Sequence, residues 1–159
     1  METSGQPHKS GIIELAANSS VVYLILFFIG AFSHYLYPIP IMSGLVAQLL
    51  GVFFLIIGPL FILWSQRSIR RFRREAEGGA SPYTFNIGPY RFTRNPTYLG
   101  LTFLIAGFGF LTNSAAIVFS AILAFIFVNY TLLRKEERIL EEKYGDEYRD
   151  YKKNVRRWF

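Results

Sequence analysis

Gly88-Pro89-Tyr90-Arg91-Phe92-Thr93-Arg94-Asn95-Pro96-Thr97-Tyr98-Leu99-Gly100 brings turn formers, fixed cations and hydrogen-bonding side chains together at the mouth of a long apolar segment. Its prolines and glycines prevent a regular helix before Pro96. Pro96 itself, with no N–H to lose, suits the first turn of a helix that continues through Tyr98 and Leu101. The polar groups therefore land at a helix N-terminus, where free backbone N–H groups and the positive dipole end favour an anion. Arg91 and Arg94 add full charges, so the ligand this stretch suits carries a carboxylate or a phosphate. A plainer reading is equally open at this point: a cytoplasmic loop whose arginines only mark the inner side of a membrane.

Further out on both sides, charge disappears. Residues 15–66 and 95–133 contain no Asp, Glu, Lys or Arg, although the chain of 159 residues carries 17 Lys and Arg and is 52% hydrophobic. Each block is too long for one crossing of ~20 residues and suits two crossings joined by a tight turn. The expected fold is an all-α integral membrane protein with about four transmembrane helices and a cytoplasmic C-terminal amphipathic helix. It reads as one membrane domain: a lead-in over 1–19, a first hairpin over 20–66, a cytoplasmic loop over 67–95, a second hairpin over 96–133, and the C-terminal helix over 134–159. With no cysteine, and His8 and His34 the sole histidines, disulfides, thiolate nucleophiles and Cys or His metal clusters are excluded.

The first span, from about Ser20 to Tyr37, has no polar face, and His34 near its far end lacks an acidic neighbour, so it reads as an interfacial residue rather than a proton carrier. Tyr37-Pro38-Ile39-Pro40 turns the chain into a second span, from about Met42 to Trp64. There Gly44, Gly51 and Gly58 recur every seven residues, with Ala47 between the first two, which predicts a face for close helix packing; Gly58-Pro59 predicts a kink. Arg67, Arg70, Arg71, Arg73 and Arg74 follow, before the chain loosens into Glu75-Ala76-Glu77-Gly78-Gly79-Ala80-Ser81-Pro82. A basic run directly after a span marks the cytoplasmic side and attracts anionic lipid. Both termini are then expected in the cytoplasm, with the Pro38 and Asn113 turns outside. Every Lys and Arg falls on one side, which accounts for the net charge of +6 without nucleic acid. The sequence implies no obligate protein partner.

The third span should run from Pro96 or Thr97 to about Leu111, and Asn113 or Ser114 can cap a fourth that reaches Leu133. From Arg134 good helix formers predict an unbroken helix leaving the membrane. Leu133, Glu137, Leu140, Tyr144, Tyr148, Tyr151, Val155 and Trp158 fall at spacings of three and four and form one stripe, with Glu137 inside it. Glu136 lies one step round, in line with Asn129. A carboxylate pair complements the arginine loop, since it can hold an ammonium while the loop holds an acid; a solvated helix beside the membrane is the alternative.

In combination, the loop and the Glu136-Glu137 pair resemble the isoprenylcysteine carboxyl methyltransferase and phospholipid methyltransferase superfamily of integral membrane enzymes. The matching positions are Gly88 to Arg91, Arg94, Pro96, Tyr98, Gly100, Glu136, Glu137, Leu140, Tyr144, Gly145, Tyr148, Tyr151, Val155 and Arg157, so the resemblance covers the chain from Tyr83 to Phe159. It implies S-adenosylmethionine as cofactor, held at the cytoplasmic face by Tyr90, Arg91, Arg94, Asn95, Pro96, Tyr98, Leu99, Gly100, Glu136 and Glu137, with Arg94 and Glu137 as the catalytic pair and no metal. The residue types suit that ligand: an acid holds an ammonium, guanidinium donors hold a carboxylate, and aromatic faces stabilise a sulfonium. Asn95 stands where the family more often has His; it keeps hydrogen bonding but cannot titrate. The acceptors implied are hydrophobic or membrane-associated: prenylated cysteine carboxylates, phospholipid amines or thiols. Two other readings compete, an NADPH-dependent membrane reductase related to sterol reductases and a noncatalytic membrane protein.

Overall fold

The computed structural model describes residues 7–77 and 87–158, with side chains over 19–71 and 87–158. Among these residues the regular structure is entirely helical: α1 (Pro7–Leu36), α2 (Gly44–Glu77), a 3-10 turn (Gly88–Arg91), α3 (Pro96–Leu111), α4 (Ala115–Tyr130), α5 (Leu132–Tyr144) and α6 (Asp146–Asn154). Three stretches are long and apolar enough to cross a membrane: the Ser19–Leu36 part of α1, the Gly44–Arg71 part of α2, and the run from Ala115 to Tyr144. The helix α3, also apolar, has 16 residues and spans about 24 Å at 1.5 Å per residue.

Helix starts follow local chemistry. Pro96 opens α3, and Ser114 caps α4 by accepting a hydrogen bond from the Ile117 amide at 3.3 Å. Four boundaries depart from the sequence reading. The fourth span ends at Tyr130 and not Leu133, and the helix expected to run on unbroken is interrupted at Thr131, whose hydroxyl bonds back to the Phe127 carbonyl before α5 begins at Leu132. Rather than ending at Gln66, α2 continues to Glu77, because Arg and Glu are good helix formers and no glycine or proline intervenes before Gly78. The arginine run therefore begins on a helix, not a loop; the Gly78-Gly79-Ala80-Ser81-Pro82 stretch lies outside the described residues. The lead-in is likewise already helical from Pro7. At the other end the predicted single helix is two. Gly145, at φ +57° and ψ −128°, ends α5 in a conformation that costs a glycine little, and after α6 Val155 is extended. The stripe still predicts burial, since Leu133, Glu137, Tyr148, Tyr151 and Val155 are all buried.

Helix α3 sits between α2 and α4, and α1 lies against α4. The α2–α3 contact depends on absent side chains: a Cβ at Gly51 would lie 2.5 Å from the Leu111 amide nitrogen, and one at Gly58 would lie 2.8 Å from the Gly100 carbonyl oxygen. Close approach of backbones through small residues is how membrane helices gain packing energy when lipid offers no hydrophobic drive. Gly44, the third member of the row, meets nothing within 4 Å, so the seven-residue repeat serves this interface at two positions. Leu24, Phe28 and Phe32 on α1 and Leu45, Leu49, Phe53, Ile56 and Leu60 on α2 face outward, exposed, as surface that a bilayer would cover. Asn113, in the left-handed region at φ +49°, ties the two hairpin turns together. Its Oδ1 accepts from the Ile41 amide at 3.0 Å and its Nδ2 donates to the Met42 carbonyl at 3.0 Å. The candidate site lies at the opposite end of α3.

Candidate functional site

The loop before α3 is built from both sides. From α2, the fully buried Ser65 hydroxyl contacts the Tyr90 hydroxyl at 2.8 Å and that of Thr97 at 2.7 Å, fixing the 3-10 turn against the first turn of α3. From α6, the Tyr151 hydroxyl donates to the Tyr90 carbonyl at 2.8 Å. The extended tail then runs alongside the loop: the Arg94 amide donates to the Arg156 carbonyl at 3.2 Å and the Thr93 hydroxyl to the Arg157 carbonyl at 2.8 Å. Burial raises the pKa of Tyr90, Tyr148 and Tyr151, so these phenols stay neutral hydrogen-bonding groups.

At the centre is Glu137, 7% exposed. Arg157 grips it with a fork, Nε to Oε1 at 3.0 Å and Nη2 to Oε2 at 2.6 Å, and this bond raises the Arg157 pKa further. Arg94 Nη1 lies 3.1 Å from Oε1, and the Tyr148 hydroxyl also reaches Arg94. The Asn129 Oδ1 accepts from Arg157 Nη1 at 3.4 Å and from Trp158 Nε1 at 3.1 Å, while the Trp158 ring lies 4.6 Å from that of Phe125. Two guanidinium groups on one carboxylate leave this cluster one positive charge in excess. Beside it Glu136 accepts a hydrogen bond from the Tyr98 hydroxyl at 2.9 Å. Positive and negative ends thus stand next to each other.

The cluster is incomplete as a hydrogen-bond network. Arg94 Nε and Nη1 and Asn95 Nδ2 are buried with no acceptor in line; the Arg94 Nη1 contact to Glu137 is Coulombic and lacks hydrogen-bond geometry. Asn95 occupies the N-cap of α3, yet its side chain does not cap. A buried donor without a partner costs roughly 1–3 kcal/mol. Arg94 Nε and Asn95 Nδ2, on consecutive residues at a helix N-terminus, are the two that no ion pair compensates, and together they suit an acceptor oxygen, the chemistry of a carboxylate.

Of the residues expected here, the structure brings together Tyr90, Arg94, Asn95, Tyr98, Glu136 and Glu137. Pro96, Leu99 and Gly100 are buried in the first turn of α3, with Gly100 against the Gly58 carbonyl. Arg91 is exposed and lines an outward depression with Phe92, Asn154, Val155 and Arg156. Sequence reasoning missed the roles of Ser65, Thr97 and Arg157. A hydroxyl at the last apolar turn of α2 was the available signal for Ser65. The resemblance singled out Arg157 over Arg156 but gave it no role, because reading the tail as helix did not bring it to Glu137.

A family model described as phospholipid methyltransferase matches residues 46–147. An uncharacterized protein of Haemophilus influenzae is 34% identical over 61 residues, which are 38% of this chain and 97% of that protein. No solved structure matches significantly.

Proposed function

The chain belongs to the phospholipid methyltransferase family, and from that premise we propose that it transfers a methyl group from S-adenosylmethionine to a hydrophobic or membrane-associated acceptor at the cytoplasmic face. The observation that carries this reading is the pair of buried donors without a hydrogen bond, Arg94 Nε and Asn95 Nδ2, at the start of α3 beside the Glu136 carboxylate. S-adenosylmethionine, when bound, supplies a methyl carbon already activated by its sulfonium, so the chain needs no nucleophile of its own. Arg94 and Asn95 would take the carboxylate of its amino-acid end, and Glu136, held by Tyr98, the ammonium. Glu137, expected from the motif to face the cofactor, is instead gripped by Arg157 and acts through Arg94 as a positioning residue. Alignment and exclusion of water are then the chain's main contributions to an in-line displacement. A carboxylate or thiolate acceptor needs only that clamp. For an amine acceptor a proton must leave, and Glu136 is the carboxylate of the cluster not paired with a guanidinium among the described residues.

Calorimetry on the purified chain in detergent, with S-adenosylmethionine, S-adenosylhomocysteine and NADPH, tests the proposal. The first two should bind and NADPH should not. Arg94→Lys should lose binding and transfer, because an ammonium cannot reproduce the planar fork, while Arg71→Lys should change neither. Binding of NADPH alone would favour a reductase, and binding of none a noncatalytic protein.

A further inference from the structure

Helix α1 lies ahead of the matched residues 46–147, yet its inner end reaches the site. Ser19 and Tyr23 stand four residues apart on one of its faces, as Tyr98 and Thr102 do on α3, and the two ladders meet rung by rung. Ser19, fully buried, is hydrogen-bonded to the Tyr98 hydroxyl. One turn further along, the buried Tyr23 hydroxyl lies 2.9 Å from that of Thr102 and 3.4 Å from the Tyr98 carbonyl. Counting protons gives each bond a direction. Thr102 donates to the Tyr98 carbonyl at 2.9 Å, so Tyr23 is the donor between the two hydroxyls. Tyr98 gives its own proton to Glu136 Oε2 at 2.9 Å, because an ionised carboxylate can only accept, so Ser19 donates to Tyr98. Helix α1 thus holds Tyr98 twice, by its hydroxyl through Ser19 and by its carbonyl through Tyr23.

We propose that Ser19 and Tyr23 are positioning residues of the cofactor site, which aim the Tyr98 phenol at one oxygen of Glu136 and leave the carboxylate its other oxygen for the ammonium of S-adenosylmethionine. Neither touches the cofactor; both act through Tyr98. A phenol that accepts a hydrogen bond is also the stronger donor, since successive bonds in a chain polarise one another. The inference rests on Glu136 as the partner of the ammonium, and it makes α1 part of the site as well as a lipid-facing helix.

The test is calorimetry on the full chain in detergent with two ligands, S-adenosylhomocysteine and its des-amino analogue, which keeps the carboxylate and lacks the ammonium. Ser19→Ala should weaken S-adenosylhomocysteine roughly three- to tenfold, the effect of one neutral hydrogen bond, and leave the analogue within about twofold. In a Tyr98→Phe background, where the phenol hydroxyl is already gone, Ser19→Ala should add no more than about twofold, because the two groups act as one unit. Ser120→Ala removes another buried hydroxyl, one that faces Gly30 of α1 but is bonded within α4, and should change neither affinity. Should Ser19→Ala give too little folded protein, Tyr23→Phe should show the same selective loss. Equal losses for both ligands would reduce Ser19 to helix packing, and additive losses with Tyr98→Phe would mean that it acts by another route; either overturns the proposal. Unchanged affinity in Ser19→Ala overturns it while the methyltransferase reading stands, whereas a wild-type chain that binds neither ligand overturns both.

Discussion

Glu137→Gln tests the central geometry most directly. The side chain keeps its shape and loses its charge, so Arg94, nearly buried, and Arg157, about a quarter exposed, are left beside a neutral amide that can no longer accept a charge-assisted fork. Breaking a buried ion pair from one side costs roughly 3–5 kcal/mol, since the uncompensated charge stays where it is; water reaching Arg157 puts this cluster at the lower end of that range. For a chain of this size that corresponds to about 6–20 °C in unfolding temperature, at 2–4 °C per kcal/mol. The assay is thermal unfolding in detergent followed by tryptophan fluorescence, with Glu141→Gln in parallel. Glu141 is about one-third exposed and pairs with Lys152 at 2.6 Å, so its loss should cost under about 1 kcal/mol. Removing both groups, Glu137→Gln with Arg157→Gln, should cost less than the sum of the single changes because the two share one interaction. Cofactor affinity should also fall in Glu137→Gln, by about 1.5–3 kcal/mol, as Arg94 loses its anchor. A Glu137→Gln shift no larger than that of Glu141→Gln would refute the view that this carboxylate organises the site.

Further predictions follow from individual contacts. Ser65→Ala removes the hydroxyl that both Tyr90 and Thr97 contact and should destabilise by ~1–3 kcal/mol while raising the KM for cofactor, checked by unfolding and by titration. Gly58→Leu should prevent α2 from seating on α3 and sharply lower the yield of folded protein, whereas Gly44→Leu, in open space, should be tolerated. For topology, cysteines placed at Gln6, Ser81 and Asn154 should resist an impermeant thiol reagent added to intact cells, and one at Thr112 should label; labelling at Ser81 would overturn the four-span arrangement.

Much of this architecture is legible in the sequence because the bilayer reduces the problem to a few strong signals. Two charge-free blocks, the Pro96 start and the Ser114 cap predicted helices that the structure contains, and Gly51 and Gly58 predicted a face that touches α3. What the sequence hid was continuity. Arg67 to Glu77 looked like loop because charge was read as the end of a helix, whereas charge ends only the apolar part of it. Gly145 lay inside a period of three and four that Tyr148 and Tyr151 kept up on its far side, so the break was invisible to a count of spacings. Both helices bury the same face, and burial is all that the period reports.

The site divides along the same line. Residue types named its chemistry: guanidinium donors, a carboxylate pair and a polar helix start stand at one end of the bundle, as the motifs imply. Roles within it depend on backbone hydrogen bonds that carry no sequence signature. The Thr93 to Arg157 and Arg94 to Arg156 contacts lay the tail beside the loop, and they decide which of two adjacent arginines reaches Glu137. Once Arg157 occupies one edge of that carboxylate and Arg94 approaches the other, an ammonium has little room to bind Glu137 without displacing a guanidinium. Glu136 is one step round the helix, held by a neutral phenol, and burial raises its pKa, so the cation proposed for it would also relieve the cost of burying its charge. The pair that reads as two equivalent acids in the sequence is therefore asymmetric in the fold, Glu137 holding the protein's own cations and Glu136 held by the neutral phenol of Tyr98.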